Sequence, residues 1–240
     1  MIKKFAITSL VAAACLYSTA NAANTLEEAF KNGKTQGEIR SYFFQEDYDS
    51  SGNSSILHFG GFLNYETEAF HGVTVGGTFQ VSSASDISGD NKFVSDEDAS
   101  GSVMSEAFIT YTRDNTSLKA GRQFIGTPLL AGSGSRMIRQ SFQGYVFTNT
   151  DIPDTTLTAA YVDRFQARTD NDGHPGKFTK NFNTNAGLGD VTLEDGAYTL
   201  YLENKSVSNL TIEAQYLDAM DIFATTYLNA KYDLGTAANL

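Results

Sequence analysis

The sequence predicts an all-β fold, an antiparallel transmembrane β-barrel. Three observations favour this fold. Apolar and polar residues alternate with period two from residue 35 onward, the links between the alternating stretches are long on one side and short on the other, and the chain begins with an export signal. Of the 240 residues, 41% are apolar and 12% aromatic, and so many aromatic residues are not found in a disordered chain.

Residues 1–22 have the features of a cleaved signal peptide. Two lysines give a positive start, residues 5–16 are almost all apolar, and residues 20–22 form an A-x-A cleavage site. The only cysteine of the sequence, Cys15, lies in this peptide, so the processed chain has no thiol or disulfide chemistry. Removal of the two lysines from the 17 basic residues leaves 15 against 28 acidic ones, a net charge of about −13, which argues against nucleic acid as a partner.

Residues 23–34 predict one short helix ahead of the main fold. Leu26, Ala29 and Phe30 fall at helical spacing there, and two glutamates occupy the first turn, where carboxylates suit the helix dipole. We interpret this helix as a leader with a small docking face. The remaining residues, 35–240, form the predicted barrel domain.

Ten strands are predicted in the barrel domain, and the clearest one alternates Leu210, Ile212 and Tyr216 with polar residues. The predicted strands are 35–46, 55–67, 73–83, 102–112, 116–125, 142–150, 155–165, 197–205, 210–219 and 223–233. Short links are expected at 68–72, 113–115, 151–154 and 206–209, and long ones at 47–54, 84–101, 126–141 and 166–196. Long links on one side and short ones on the other are typical of outer-membrane barrels.

The polar faces of these strands are too hydrophilic for a dry core. They carry residues such as Glu38, Arg40 and Gln80, and each unpaired buried polar group costs about 1–3 kcal/mol. The polar face is therefore expected to be wet and the apolar face to meet lipid. Tyrosines near the ends of the apolar faces fit an interfacial girdle; they are Tyr65, Tyr111, Tyr216 and Tyr232.

Three groups of sequence stretches carry a family resemblance. They are 25–34 running into 37–44, 118–123 followed by 127–130 and 134–136, and 216–219 followed by 227–232. In these stretches the chain resembles the OprD family of outer-membrane porins, in particular the major porins of epsilonproteobacteria. The middle group, with Pro128 and Ser135-Arg136 at their spacing, is the most specific.

The resemblance implies an eighteen-stranded barrel, which is larger than ten predicted strands can build. The chain is therefore expected to be truncated at its C-terminus, with a complete ten-stranded barrel as the alternative. The resemblance also implies an outer-membrane location after export, and a homotrimer. The expected partners are the lipid bilayer and small hydrophilic solutes and ions.

The resemblance further implies that the segment after the fifth strand, residues 126–141, folds inward and narrows a water-filled channel for passive diffusion. Pro128 would start this segment, and Ser135 with neighbouring glycines would let the backbone lie in a confined lumen. The candidate selectivity residues are Arg40, Lys119, Pro128, Ser135, Arg136, Arg139, Glu38 and Glu106. For the charged residues among them, the alternative is a solvated charge on a wet face. Arg122 stays unresolved, because alternation points it outward and a bulge could turn it inward.

Two other functions remain open for such a barrel. One is a surface adhesin whose external loops, above all 166–196, bind another cell. The other is a barrel hydrolase, although the sequence has no nucleophile elbow to favour it. The three histidines share no spacing and the processed chain has no cysteine, so no metal, cofactor or catalytic residue is expected.

Overall fold

Strands make up most of the computed structural model, which describes residues 8–15, 22–48, 52–86, 99–170, 173–184 and 189–235. The one helix in these ranges is α1, Leu26–Lys31. The strands are β1 (Thr8–Cys15), β2 (Lys34–Tyr48), β3 (Gly52–Glu66), β4 (Val73–Asp86), β5 (Gly101–Arg113), β6 (Thr116–Gln123), β7 (Ser141–Asn149), β8 (Thr155–Gln166), β9 (Phe178–Thr179), β10 (Asn181–Thr184), β11 (Gly189–Thr192), β12 (Ala197–Asn204), β13 (Leu210–Ala219) and β14 (Phe223–Tyr232).

Twelve of these strands form a single antiparallel sheet. Its order is β1-β2-β3-β4-β5-β6-β7-β8-β12-β13-β14, with β9 paired to β8, while β10 and β11 form a separate hairpin. Each strand therefore pairs with its neighbour along the chain, apart from the insertion between β8 and β12. The predicted antiparallel all-β fold is confirmed, and the ten predicted strands correspond to β2–β8 and β12–β14. Within the described residues β1 and β14 do not pair, so the sheet is open.

One strand lies where the sequence predicted a signal peptide and no fold element. Residues 8–15 form β1 and pair with residues 36–43 of β2. Among the described residues β2 has no other strand on this edge, and an extended apolar segment satisfies the open backbone groups of the edge. Residues 16–21, which include part of the predicted cleavage site, lie outside the described residues, so the signal peptide stays a prediction.

One link differs from the prediction on the side of the expected long links. β2 and β3 run to Tyr48 and from Gly52, so the expected long link at 47–54 shrinks to residues 49–51. The short turn at residues 220–222 lies on the same side and agrees with the predicted strands 210–219 and 223–233. Links 87–100, 124–140 and 167–196 are long, and the last contains β9, β10 and β11, which the sequence did not predict. Added cross-strand bonds favour the longer hairpin β2–β3.

The two faces of the sheet differ in chemistry as the alternation predicted. Phe59, Leu63 and Leu200 stand on one face and are more than half exposed, whereas Gln80 and Gln123 on the other face are buried. Polar side chains are thus buried and apolar side chains are exposed, which is the reverse of what a water-soluble sheet shows. We call the polar side the inner face and the apolar side the outer face.

A small apolar core lies on the inner face, near strands β7, β8, β12 and β13. It contains Ile125, Leu130, Phe142, Ala160, Val162, Leu193, Ala197, Leu217 and Ala219. Ile125 and Leu130 come from the link between β6 and β7, so this link packs against the inner face. The core thereby fixes one end of the link over the sheet.

Helix α1 is attached to the turn between β3 and β4. Thr25 caps it, since its hydroxyl accepts a hydrogen bond from the Glu28 N–H at 3.1 Å. The backbone N–H of Glu68 donates to the Ala29 carbonyl at 2.9 Å, and the Tyr65 hydroxyl donates to the Phe30 carbonyl. Tyr65, predicted in the interfacial girdle, therefore anchors the helix. No helix in the described ranges combines the length and the hydropathy needed to span a membrane.

Candidate constriction site

The link between β6 and β7, residues 124–140, is called the inner segment. It begins two residues before the predicted 126–141, because β6 ends at Gln123. Its first half is a tight turn: Thr127 donates from its N–H to the Leu130 carbonyl at 2.9 Å, and the reverse bond is 3.2 Å long. Pro128 takes the second position of this turn, where its fixed φ is favourable. The Pro128 side chain is exposed to solvent.

The second half of the inner segment closes on itself. Gln140 donates from its backbone N–H to the Ser133 carbonyl at 3.1 Å, and Ser133 donates back to the Gln140 side-chain oxygen at 3.0 Å. Ser135 is exposed; its hydroxyl lies 3.0 Å from that of Ser133 and accepts from Arg168 at 3.5 Å. Ser135 thus belongs to the rim of the segment.

Two strands of the large sheet hold the second half of the inner segment; we call the strands that face this segment the wall strands. Gln80 of β4 accepts from the Arg139 N–H at 2.9 Å and donates to the Arg139 carbonyl at 3.0 Å. Arg40 of β2 donates from Nη1 to the Arg136 carbonyl at 3.1 Å. Both tethers end on backbone atoms, so the side chains of Arg136 and Arg139 are left for other contacts.

A third wall strand holds the tight turn. Gln215 of β13 accepts from the Leu129 N–H at 2.8 Å, and its amide nitrogen donates to the Thr127 hydroxyl, also at 2.8 Å. Since β13 and β4 are six positions apart in the sheet order, the inner segment crosses much of the inner face.

A cavity of about 430 Å³ lies between the inner segment and the wall strands β2–β5. Its lining residues are Gln36, Glu38, Arg40, Gly61, Phe62, Asn64, Thr78, Gln80, Glu106, Phe124, Gly132, Gly134, Arg136, Met137 and Arg139. Five of the eight candidate residues are thus brought together, and Lys119 reaches one of them. Pro128 and Ser135 do not line the cavity.

The wall charges around this cavity occur as ion pairs. The Arg40 guanidinium lies 2.6 Å from Glu38 Oε1, and Lys119 Nζ lies 3.4 Å from Glu106 Oε1. Glu106 also accepts from the Thr78 hydroxyl at 2.6 Å and from the Phe124 N–H at 3.1 Å. Each of these acidic groups therefore lies beside a basic one.

Aromatic rings support the cations of the site. The distances from the charged group to the ring centroid are 3.6 Å for Lys119 over Phe108, 5.6 Å for Arg136 over Phe44 and 4.0 Å for Arg139 over Phe124. A ring face attracts a cation and limits the directions in which it can point. The three positive charges are thereby oriented by the protein.

Comparison of the sequence with models of protein families shows the family to which this chain belongs. The model of the family described as outer membrane porin, OprD family, matches residues 28–240. The chain belongs to the OprD family of outer-membrane porins. Membership in a porin family also supports the prediction that the chain is not an enzyme. No curated protein sequence matches this chain.

Solved porin structures share the fold of this OprD-family chain. OccAB2 of Acinetobacter baumannii is 20% identical with a TM-score of 0.67, and the match covers 85% of this chain and 53% of that one. OccK9 (OpdG) of Pseudomonas aeruginosa is 14% identical with a TM-score of 0.67, covering 84% and 54%. A BenF-like porin from Pseudomonas fluorescens Pf-5 is 13% identical with a TM-score of 0.66, covering 84% and 53%. The OprD-family chain thus spans about half the length of these neighbours.

Sequence reasoning missed the glutamine tethers of this OprD-family chain. Alternation puts Gln80 and Gln215 on the polar faces of their strands, but nothing in the sequence pairs them with residues 139 and 129. Arg122, left unresolved, lies with its Cζ 4.4 Å from the Phe178 ring centroid and is not among the cavity residues. Among the described residues, no group of three or more potential metal ligands occurs.

Proposed function

We propose that the chain contributes about half of a water-filled channel in the outer membrane, through which small hydrophilic solutes and ions diffuse passively. Membership in the OprD porin family supports this proposal. The observation that carries it is the charged cavity of about 430 Å³ on the inner face, opposite an outer face of exposed apolar side chains. A polar inner face and an apolar outer face are what a membrane pore requires.

In this proposal the inner segment is the constriction. It is tethered across the inner face and carries Arg136 and Arg139, while Arg40, Glu38 and Glu106 stand on the opposing wall. Rows of acidic and basic side chains at a narrow section select ions by charge. The ion pairs Arg40–Glu38 and Lys119–Glu106 would then discriminate solutes by charge distribution as well as by size.

The test is ion conductance of the full-length protein in planar bilayers, with and without R136Q. Without the Arg136 charge, we expect the anion-to-cation permeability ratio to fall by up to about tenfold, because a unit positive charge about 6 Å away in water attracts an anion and repels a cation by about 0.7 kcal/mol each. R113Q is the matched control, since Arg113 is an exposed arginine at the end of β5, paired with Asp114 at 3.8 Å. Absence of conductance from the wild-type protein would refute the channel, and equal ratios in R136Q and wild type would refute the role of Arg136.

A further inference from the structure

Two buried glutamines from distant strands grip the inner segment at its two ends. Gln80 is 3% exposed and Gln215 is 2% exposed. Each uses its side-chain amide on the backbone or the hydroxyl of the inner segment, and neither contributes a charge. The two residues therefore differ from the charged groups around the cavity in what they can do: they can fix position only.

The Gln80 side chain bonds to the Arg139 backbone in the way that a neighbouring strand would. Its oxygen accepts from the Arg139 N–H and its nitrogen donates to the Arg139 carbonyl, at 2.9 and 3.0 Å, which is the reciprocal pattern of an antiparallel pair. Behind Gln80, its amide nitrogen also contacts the hydroxyl of Ser105, which donates to Gln166 Oε1 at 2.9 Å. Ser141, the first residue of β7, donates to the same oxygen at 3.1 Å. The tether is thus part of a network that ends where the inner segment rejoins the wall.

Gln215 has a comparable but separate network. Besides Leu129 and Thr127, it contacts the hydroxyl of Thr199 on β12 at 2.8 Å. The Gln215 amide nitrogen thus donates both to Thr199 of the sheet and to Thr127 of the tight turn, and its oxygen accepts from Leu129 of the turn. Rotation of the side chain would break three bonds of 2.8 Å at once.

Loss of either tether leaves half-buried backbone groups of the inner segment without that hydrogen-bond partner. An unsatisfied buried donor or acceptor costs about 1–3 kcal/mol, and a segment without regular structure can avoid this cost by moving toward water. Movement of the half held by Gln80 would carry Arg136 and Arg139 with it. Movement of the turn held by Gln215 would displace residues 127–130, which carry no charge.

We propose that Gln80 and Gln215 are positioning residues that hold the inner segment across the channel and thereby set its width. The inference rests on the proposed channel function. Gln80 fixes the charged half of the segment and Gln215 fixes the uncharged turn, so the two residues control different properties: Gln80 controls width and ion preference, and Gln215 controls width alone.

The experiment compares Q80M and Q215M in the full-length protein with the control Q123M. Methionine keeps the length of the side chain and removes both hydrogen-bonding atoms. Gln123 is equally buried, but its amide nitrogen donates to the Gly144 carbonyl of the wall strand β7 at 3.2 Å. Single-channel conductance, open-channel noise and zero-current potential are recorded, together with urea unfolding to measure stability.

We expect Q80M and Q215M each to change the conductance by about twofold and to raise the open-channel noise, because the narrowest section controls permeation. Only Q80M should also shift the zero-current potential. Q123M should lower the stability without altering any of the three electrical properties. Should Q80M fail to fold, Q80E keeps the acceptor for Arg139 N–H and loses the donor, and its noise is compared instead.

The outcomes separate this inference from the proposed function. Absence of conductance from the wild-type protein would refute the proposed channel function. A conducting wild type with Q80M and Q215M channels indistinguishable from Q123M would overturn the positioning role and leave the channel standing. Identical potentials in Q80M and Q215M would overturn the division of roles between the two glutamines.

Discussion

Glu106 joins three parts of the candidate site. Its carboxylate accepts from Thr78 on β4, from the Phe124 N–H at the start of the inner segment and from Lys119 on β6. The side chain is 9% exposed, so these contacts satisfy a carboxylate that water hardly reaches. The same group therefore supplies a negative charge to the cavity and an acceptor for the backbone.

These two roles can be separated by substitution. E106Q removes the charge, while the new amide can still accept from Phe124 and donate to the Thr78 hydroxyl, so we expect near-normal stability. Its anion-to-cation permeability ratio should rise by up to about tenfold, since the lost negative charge attracts cations and repels anions near the pore. E106L also leaves the Phe124 N–H without an acceptor, which should cost about 1–3 kcal/mol in urea unfolding. Equal unfolding midpoints for E106Q and E106L would contradict the backbone role.

At the level of strands, the sheet has two bulges, and one of them decides which side chains enter the site. Between β4 and β5 the register shifts after Thr78, so that Ser105 is the extra residue and both Ser105 and Glu106 are buried. Between β7 and β8 a second shift makes Asp163 the extra residue of β8, opposite the step from Gln143 to Gly144. A bulge turns an additional side chain to one face. The first bulge thus gives the Gln80 network its serine.

The strands were predictable because the side of a residue in a sheet follows from period two, which is a local property. Alternation also placed Arg40 and Glu106 on the inner face. It could not predict Ser105, since a bulge breaks the period and depends on the neighbouring strand. Nor could it pair Gln80 with a residue 59 positions away, because such a contact is decided by tertiary packing. Strand β1 was missed for the same reason.

The second bulge requires a glycine. A Cβ on Gly144 would lie 2.0 Å from the Tyr161 carbonyl oxygen, a backbone atom that cannot move aside alone. We expect G144A to destabilise the protein by about 1–3 kcal/mol, as overpacking does. G126A is the matched control, because a Cβ on Gly126 meets nothing within 4 Å. Urea unfolding of both variants tests this, and a G144A midpoint equal to that of G126A would show that the strands can separate without cost.

At the scale of the whole molecule, the outer face forms bands. Tyr145, Tyr161 and Tyr198 are direct neighbours across β7, β8 and β12, and all three are exposed. The Tyr198 hydroxyl donates to Asp218 at 2.9 Å, and so does that of the exposed Tyr216 at 3.1 Å. Tyrosine rings with apolar bodies and polar tips suit the boundary between lipid and water. The row gives the sheet a direction relative to the membrane.

The strongest test of this two-faced sheet uses adjacent residues at one depth. Leu228 lies near the middle of β14 and is 76% exposed on the outer face, whereas Asn229 faces inward and donates to Glu213 at 2.8 Å. L228R should destabilise the inserted full-length protein by roughly 2–4 kcal/mol, the cost of an arginine facing lipid near the bilayer midplane.

N229R should be tolerated, because the arginine enters the wet side and finds the Glu213 carboxylate. Unfolding in urea from lipid vesicles, and the folded fraction seen as heat-modifiable mobility on a gel, measure both effects. If the two variants lost stability equally, the outer face would not be the lipid face, since only a difference in solvent between the two sides can separate substitutions one residue apart.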